Sequence, residues 1–425
     1  MSDTIFALSS GAPPAAIGVI RISGPGAGAA LRQLAGRTIA PRRASLARLH
    51  SADGDLLDEA LVLWFPGPAT ATGEDLAELH CHGGRAVIAA IEGELGAISG
   101  LRRAEPGEFT RRAFANGRID LAEAEGLADL LSAEIELQRS AAIAMAGGTL
   151  SRQVEHWREA LLRLSAEVEA ALDFADEDDV GGLSGNFAEQ LGDLAGSLAT
   201  WLARPRSERL GEGYRVVLAG PPNAGKSTLF NALVEAEVAI TSPQAGTTRD
   251  AIERSVAIAG VPFTFVDTAG LRDHGEDAIE AIGIERARDQ VERADLVLWL
   301  GPEYEGPAGC WEIEAQIDKV AIPVKSAPAW RVSALTGENL AALKQALVEH
   351  ARSELPRPSE AALNARQHGL LAEAHAALRE AQARSDPLIV AEGLRRARLA
   401  FDRLVGRATT EDMLDALFGR FCIGK

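Results

Sequence analysis

The spacing of apolar residues changes along this chain, and each pattern predicts a different kind of structure. Up to about residue 116, short apolar runs at residues 17–22 and 61–65 alternate with Gly- and Pro-containing turns, which indicates an α+β domain. From about Leu121 onward, apolar residues recur three and four positions apart, which is typical of a long amphipathic helix. The members of this stripe are Val154, Trp157, Leu161, Leu164, Val168 and Ala171. A further helix is predicted over residues 187–202.

Between about Gly211 and His350 the pattern alternates between strand and helix, which implies a mostly parallel sheet. The helical pattern resumes after Pro356 and Pro358 and continues to Leu417. The simplest arrangement is an α/β domain inserted into an all-helical one. We therefore predict α/β plus all-α architecture, with domains at residues 1–116, 117–210, 211–352 and 353–425.

Composition excludes several classes of protein. A net charge of −18 over 425 residues argues against broad, nonspecific nucleic-acid binding. Residues 393–425 carry seven basic and four acidic residues, for which a solvated helix face is favoured over an RNA contact. No apolar run approaches the roughly 18 residues of a membrane-spanning helix, and residues 1–5 show no secretory signal. Because the 3 cysteines are far apart and form no disulfide framework, we expect a cytoplasmic protein with no membrane partner.

The strongest local signal is the pattern G-x-x-x-x-G-K-S at residues 220–227, which follows an apolar run and precedes a helix-like segment. Glycines in such a loop let backbone N–H groups surround a phosphate at a helix N-terminus. We expect Lys226 to reach the β- and γ-phosphates and the Ser227 hydroxyl to bind Mg²⁺. The pattern predicts a P-loop nucleotidase rather than a glycine-rich turn that binds nothing.

Two later segments favour a GTPase of the switch type over a generic ATPase. An apolar run at residues 263–266 leads into Asp-Thr-Ala-Gly at 267–270, where Asp267 can join the Mg²⁺ shell and the Gly270 amide can sense a γ-phosphate. The sequence Gly-Thr-Thr-Arg-Asp at 246–250 lies between this segment and the glycine-rich loop, and a threonine there can close on Mg²⁺ only while the γ-phosphate is present. Residues 246–250 are therefore predicted to form a switch.

The base-reading motif departs from its usual form, Asn-Lys-x-Asp. Its best counterpart is Ala-Gln-Ile-Asp at residues 315–318, which retains only Asp318, the carboxylate that would accept from guanine N1–H and the 2-amino group. Loss of the Asn and Lys puts nucleotide affinity and selectivity in question. Ser333, Ala334 and Leu335 fit a second guanine-contacting loop, with the Ala334 N–H facing guanine O6. We favour GTP, and ATP remains the alternative.

The position that often carries a water-orienting glutamine holds Leu271, so another group must position the attacking water. The carboxamide of Asn223 could bind a monovalent cation beside the phosphates, where it would neutralise developing charge. From the residues alone, Asn223 could equally well only cap the loop.

Together with these motifs, five further segments resemble the MnmE (TrmE) family of tRNA-modification GTPases, and the resemblance covers essentially the whole chain. They are Gly-Val-Ile-Arg-Ile-Ser-Gly-Pro at 18–25, Gly-Glu-Asp-Leu-Ala-Glu-Leu-His-Cys-His-Gly-Gly at 73–84, Pro-Gly-Glu-Phe-Thr-Arg-Arg-Ala-Phe at 106–114, Asn-Gly-Arg-Ile-Asp-Leu at 116–121 and Phe-Cys-Ile-Gly-Lys at 421–425.

The resemblance implies an N-terminal folate-binding α+β domain that forms a homodimer, a helical bundle, and an inserted Ras-like G domain. It also implies an FAD-containing partner (MnmG, also called GidA) in a heterotetramer or larger complex. With this partner the protein would add a carboxymethylaminomethyl or aminomethyl group to C5 of the wobble uridine of certain tRNAs. The carbon would come from 5-formyl- or methylene-tetrahydrofolate. The folate contacts of the family carry over to Arg21, Glu78, Arg118 and Lys425.

In the G domain, the resemblance implies K⁺-dependent dimerisation in place of an arginine finger. The K⁺ ligands would be Asn223, Ser242, Gln244 and Thr247, the Mg²⁺ ligands Ser227 and Thr248, and the catalytic residues Glu280, Lys226 and Asn223. The implied GTP contacts are Asn223, Ala224, Gly225, Lys226, Ser227, Thr228, Ser242, Pro243, Gln244, Ala245, Gly246, Thr247, Thr248, Asp267, Thr268, Ala269, Gly270, Asp318, Ser333, Ala334 and Leu335.

A GTP-switched assembly or scaffold factor is the alternative function, because the sequence has no flavin fingerprint and no obvious nucleophile–base pair.

Three weaker signals are set aside. The Gly-Pro-Gly-Ala-Gly-Ala run at 24–29 only mimics a dinucleotide-binding loop, since it contains a proline. His-Cys-His at 80–82 lacks a second ligand pair, so packing or folate-pocket lining is favoured over metal binding. For Cys422 a small buried residue is preferred over a nucleophile.

Overall fold

The computed structural model of the chain describes residues 3–173, 183–235, 238–239, 252–268, 288–319, 324–357, 359–408 and 410–424. Two compact units are present. The first contains residues 1–128, 150–158 and 398–425, and the second contains residues 129–149 and 159–397.

A six-stranded sheet with the order β3-β4-β5-β2-β1-β6 forms the centre of the first unit. Its strands are β1 (Thr4–Leu8), β2 (Ile17–Ser23), β3 (Ser45–His50), β4 (Leu56–Phe65), β5 (Leu76–His82) and β6 (Leu101–Arg103). Every neighbouring pair is antiparallel except β1 and β6. The helices α1 (Ala27–Ala35) and α2 (Arg85–Ala97) pack their apolar residues against buried sheet positions such as Ile20, Val62 and Leu79. The predicted α+β character is confirmed.

This unit also contains α3 (Glu108–Ala115), most of α4 (Leu121–Ser132) and, from the far end of the sequence, α13 (Glu411–Phe418). A separate apolar cluster includes Leu121 of α4, Phe418 of α13 and Phe421. The C-terminal segment continues past this cluster, where the Gly107 amide donates to the Cys422 carbonyl at 3.4 Å. An added Cβ at Gly107 would stand 2.2 Å from the Phe418 carbonyl oxygen, so only glycine fits this crossing.

A seven-stranded sheet with the order β13-β12-β11-β7-β10-β9-β8 lies in the second unit. Its strands are β7 (Tyr214–Ala219), β8 (Val238–Ala239), β9 (Ile252–Ile258), β10 (Val261–Asp267), β11 (Leu296–Trp299), β12 (Trp311–Glu314) and β13 (Trp330–Arg331). The pairs among β13, β12, β11, β7 and β10 are parallel, and β9 pairs antiparallel with β10 and β8. Helices α9 (Lys226–Val234) and α10 (Leu340–Glu354) add Leu229, Phe230 and Leu343 to its core. The mostly parallel sheet is as predicted.

The remaining helices are α5 (Glu136–Ala146), α6 (Thr149–Asp173), α7 (Phe187–Leu202), α8 (Glu208–Glu212), α11 (Ala365–Gln382) and α12 (Pro387–Leu404). The predicted stripe of α6 is buried at every position except Ala171, which is half-buried. Helix α7 has the predicted bounds and packs on α11, where Gln382 Nε2 donates to the Ala188 carbonyl at 3.3 Å. None of the described helices is long and apolar enough to cross a membrane.

Candidate functional site

The glycine-rich loop at residues 220–225 connects β7, which lies between β10 and β11, to α9. Gly220 has φ +146° and Gly225 has φ +93°, both in the region that favours glycine. An added Cβ at Gly220 would lie 2.9 Å from the Gly301 nitrogen, so a side chain would force the loop away from the end of β11. The loop thus ends at the N-terminus of a helix, which favours anions through its N–H groups and dipole.

Lys226 begins α9 and is only 6% exposed. Its Nζ donates to the carbonyl oxygens of Gly220 and Pro221 at 2.9 and 2.7 Å, which places the ammonium inside the curve of the loop. Ser227 and Thr228 follow in the first helical turn and are exposed. Asn223, also exposed, has a left-handed backbone with φ +62°. The ammonium, hydroxyls and helix N-terminus form a donor set that suits a polyphosphate.

Asp267 ends β10 beside the loop, in register with Leu218 of β7, and is buried. The next residue, Thr268, donates its hydroxyl to the Leu218 carbonyl at 2.8 Å. This hydrogen bond joins the ends of β7 and β10 next to the loop.

The two predicted base-contacting segments lie side by side at the other end of the sheet's carboxyl edge. Asp318, which follows β12, is exposed and accepts a 2.5 Å hydrogen bond from the hydroxyl of Ser333, which follows β13 and is fully buried. Ser333 Oγ also accepts from the Thr336 amide at 3.1 Å. Ala334 is half-buried and Leu335 is exposed. The carboxylate proposed to read the base is therefore oriented by the second loop, which the sequence did not show.

Gln316 stands at the position where the usual base-reading motif has lysine. Its Nε2 donates to the Asn223 carbonyl at 3.3 Å, so the base-reading segment contacts the phosphate loop directly. No pattern in the sequence marks this pair, because its two residues are 93 positions apart.

Several predicted site residues lie outside the described part of the chain, and they remain predictions. They are Ser242, Pro243, Gln244, Ala245, Gly246, Thr247, Thr248, Ala269, Gly270, Glu280 and Lys425.

In the first unit, Arg21 of β2 and Glu78 of β5 are paired across adjacent strands. Glu78 Oε1 accepts from Arg21 Nε and Nη2 at 3.1 and 2.9 Å, and the guanidinium lies 5.8 Å from the centre of the Phe109 ring. Arg118 is exposed, and its stem lies next to Gly73, where an added Cβ would come within 3.2 Å of Arg118 Cγ. The structure thus joins Arg21 to Glu78, whereas the contact it gives for Arg118 is with the segment before β5.

A buried ion network, not identified from the sequence, centres on Arg112 of α3, which is 1% exposed. Its guanidinium donates to Glu108 Oε1 at 2.9 Å, to Asp3 Oδ1 at 3.0 Å and to Glu74 Oε2 at 3.1 Å. Arg102 donates to both oxygens of Glu108 at 2.6 and 2.8 Å. Glu108 and Arg112 lie one turn apart on α3, whereas Asp3, Glu74 and Arg102 come from three other segments, so no local motif reveals the whole network.

The network shifts the titration of its members. Burial alone would raise the pKa of the Glu108 carboxyl, but hydrogen bonds from Arg102, the Glu105 amide and Arg112 outweigh burial and lower this pKa. The pKa of Asp3 is lowered in the same way by Arg102 and Arg112, again against the effect of burial. Both carboxylates are therefore stabilised in their charged forms.

The residues that were set aside also have clear places. Cys81 is buried in the first unit's core, and burial raises its pKa to about 12, so it is an inert packing residue. Within the described ranges, no group of three or more His, Cys, Asp and Glu residues could hold a metal ion. The Gly26 amide donates to Thr4 Oγ1 at 2.8 Å, and an added Cβ at Gly24 or Gly26 would clash with Thr4, so these two glycines serve close packing on β1. The expectation that Cys422 is buried is wrong: its side chain is exposed, and its main chain makes the contact with Gly107.

Comparison with known proteins places these sites in a family. The family model of the GTP-binding protein TrmE N-terminus matches residues 4–118, and that of the MnmE helical domain matches residues 121–422. The tRNA modification GTPase MnmE of Novosphingobium aromaticivorans is 66% identical, with 100% of both chains covered. The protein of that name from Zymomonas mobilis is 49% identical, covering 99% of this chain and 100% of the relative.

Among solved structures, the G domain of the T. maritima FeoB iron transporter is 24% identical, with a TM-score of 0.22. The match covers 32% of this chain and 98% of the FeoB G-domain chain. The family assignment rests instead on the two family models and on the full-length relatives. This chain belongs to the MnmE family of tRNA modification GTPases.

Proposed function

We propose that this chain binds and hydrolyses GTP to drive a modification at C5 of the wobble uridine of certain tRNAs. It would act as a homodimer in the cytoplasm, together with the FAD-containing partner MnmG (GidA). The group added would be carboxymethylaminomethyl or aminomethyl. The observation that carries the proposal is the loop at residues 220–227, with Lys226 inside its curve, on a chain that matches MnmE proteins over its full length.

In this proposal the loop holds the nucleotide by its phosphates. The N–H groups at the start of α9 and the Lys226 ammonium would bind the β- and γ-phosphates, and their positive charge would stabilise the charge that develops in the transition state. Their positions are set in advance by the glycines at 220 and 225, so little reorganisation is needed when a nucleotide binds.

The oxygen donors near the loop suit hard cations. Ser227 on α9 and Asp267 at the end of β10 offer a hydroxyl and a carboxylate, and Thr248 is proposed to complete the set. When bound, Mg²⁺ would neutralise charge on the phosphates. For K⁺ we propose Asn223, Ser242, Gln244 and Thr247 as ligands. The exposed position of Asn223 in the loop supports its part in that set.

Water activation is assigned to Glu280, and guanine recognition to Asp318 with the Ala334 amide. The 2.5 Å hydrogen bond from Ser333 supports the second assignment, because it holds the Asp318 carboxylate next to the second loop. A carboxylate held in this way can accept two N–H groups of guanine, whereas adenine lacks that donor pair. We therefore propose GTP rather than ATP as substrate.

We place a tetrahydrofolate site in the first unit, at Arg21, Glu78, Arg118 and Lys425. Arg21 and Glu78 are part-buried and paired, and the Arg21 guanidinium lies against the buried ring of Phe109. A charged pair with both donors and acceptors suits a heterocycle that carries the complementary groups. A 5-formyl- or methylene-tetrahydrofolate would supply the transferred carbon.

The test has two parts. GTP hydrolysis is measured in K⁺ and in Na⁺ for the wild type, for Asn223→Ala and for a control, Asn186→Ala, which changes an exposed asparagine at the start of α7. We expect stimulation by K⁺ only, and loss of that stimulation in Asn223→Ala alone. Equal wild-type rates in both salts would contradict the K⁺ mechanism.

Mass analysis of wobble nucleosides from cells lacking the gene tests the modification role. Unchanged modification would instead support an assembly or scaffold factor.

A further inference from the structure

Gln316 connects the two halves of the nucleotide site. Its side-chain amide donates to the Asn223 carbonyl of the phosphate loop at 3.3 Å, and its own carbonyl accepts from the Lys319 amide at 2.9 Å. The segment that leads to Asp318 is therefore held against the loop that leads to Lys226.

The fit of Gln316 against the loop is close. An added Cβ at Gly225 would lie 2.8 Å from Gln316 Nε2 and 3.2 Å from its Cγ. Gly225 also has φ +93°, a backbone conformation in which a Cβ atom would be strained. The stem of Gln316 thus occupies the space beside Gly225 at the start of α9, so the residue packs on the loop as well as bonding to it.

Both partners in this hydrogen bond have unusual backbones. Gln316 has φ +60° and Asn223 has φ +62°, and non-glycine residues seldom adopt such values. Left-handed residues of this kind persist where surrounding contacts fix them, and they are frequent at ligand sites. The amide–carbonyl bond between the two residues is a contact that fixes both conformations at once.

The other end of the base-reading segment is fixed as well, by the bond from Ser333 to Asp318. The segment from Gln316 to Asp318 is therefore attached to the phosphate loop at one end and to the second base-contacting loop at the other. The distance between the phosphate-binding and base-binding groups depends on both attachments.

We propose that Gln316 is a positioning residue for nucleotide binding, which holds the phosphate loop at Asn223 and sets its spacing from Asp318. Its amide supplies a side-chain donor to the loop at the position where the usual motif has lysine. This inference deepens the proposed function and rests on it. The proposed role of Gln316 does not depend on K⁺, because Gln316 contacts the main-chain carbonyl of Asn223 and not the carboxamide proposed to bind K⁺.

The test measures GDP affinity by titration calorimetry in Mg²⁺ buffer without K⁺, using the full-length chain. Gln316→Met keeps a similar length and removes the donor, and Gln316→Lys restores a donor on a longer stem. The control is Gln345→Met, the same change at an exposed glutamine of α10. We expect GDP to bind about 5- to 10-fold more weakly to Gln316→Met, which is the effect of one net hydrogen bond. Gln316→Lys should bind within about twofold of wild type, which is within the spread expected of a kept hydrogen bond.

The outcomes separate this inference from the proposed function. A wild type that binds no GDP would overturn both. Wild-type binding with an unchanged Gln316→Met would overturn the inference alone. Equal weakening in Gln316→Met and Gln316→Lys would also overturn it, because the donor would then not matter. Thermal unfolding of each variant checks that the fold is intact, and we expect unchanged midpoints because Gln316 is only half-buried.

Discussion

Lys226 in the second unit and Arg112 in the first are both buried basic side chains, with 6% and 1% exposure. The ammonium of Lys226 lies within a glycine-rich loop, where the carbonyls of Gly220 and Pro221 accept its hydrogen bonds. The guanidinium of Arg112 donates instead to the carboxylates of Asp3, Glu74 and Glu108. Lys226 therefore lies in the loop proposed to hold the phosphates, whereas Arg112 joins separate segments of the fold.

This difference shows that burial of a cation does not by itself mark a functional site. A guanidinium surrounded by three carboxylates has its N–H donors used within the protein, so it contributes to folding. A lysine in a glycine-rich loop at a helix N-terminus is proposed instead to serve phosphate binding. The predictions below test this contrast, beginning with the largest expected effect.

Replacing Arg112 with methionine should lower the free energy of unfolding of the first unit by about 3–5 kcal/mol, because three carboxylates lose a buried partner. The measurement is denaturant-dependent hydrogen exchange of the amides of β1 and α3. Arg103→Met is the matched control: Arg103 is exposed and forms an ion pair with Glu92 at 2.9 Å on the surface, so its loss should change little. Equal stability of Arg112→Met and the wild type would show that the network does not hold the unit together.

Replacing Lys226 with alanine should weaken GDP binding about 100-fold, the effect of removing charge-assisted bonds to phosphate. The unfolding of the first unit should stay unchanged, since Lys226 belongs to the second. Titration calorimetry measures the affinity, and Lys344→Ala, a change on the surface of α10, is the control. If Lys226→Ala bound GDP as tightly as the wild type, the proposed role of Lys226 in nucleotide binding would be wrong.

The free energy of unfolding should depend on pH through the ionisation of the Glu108 carboxyl. Because its pKa is lowered in the folded state, its stabilisation is fully present above about pH 4.5, its ordinary value, and is lost as the pH falls through the folded pKa. The wild type should therefore exceed Glu108→Gln in unfolding free energy at neutral pH, and the gap should close at acidic pH. Urea unfolding at a series of pH values measures the gap, and a gap independent of pH would contradict this account.

The sequence was sufficient where the signal is local. Residues 220–227 showed the loop, and the apolar spacing showed the stripe of α6 and the bounds of α7. Alternation of apolar residues along β5 could also have placed Cys81 in the core, because its neighbours Leu79 and Ala77 face the same side.

The sequence was insufficient where the structure joins distant segments. Asp3, Glu74 and Arg112 meet only when the start of β1, the segment before β5 and α3 come together. In the sequence, Gln316 only replaces the lysine of the usual base-reading motif. Its contact with Asn223 depends on the fold and could not be predicted. The exposure of Cys422 likewise depends on how the C-terminal segment crosses Gly107.

The most direct test of the central claim is a titration of the wild-type chain with GDP and, in parallel, with ADP in Mg²⁺ buffer. If residues 220–227 hold the phosphates and Asp318 reads the base, GDP should bind at least about tenfold more tightly than ADP, the effect of one good base-specific contact. Tighter binding of ADP, or binding of neither nucleotide, would contradict the assignment.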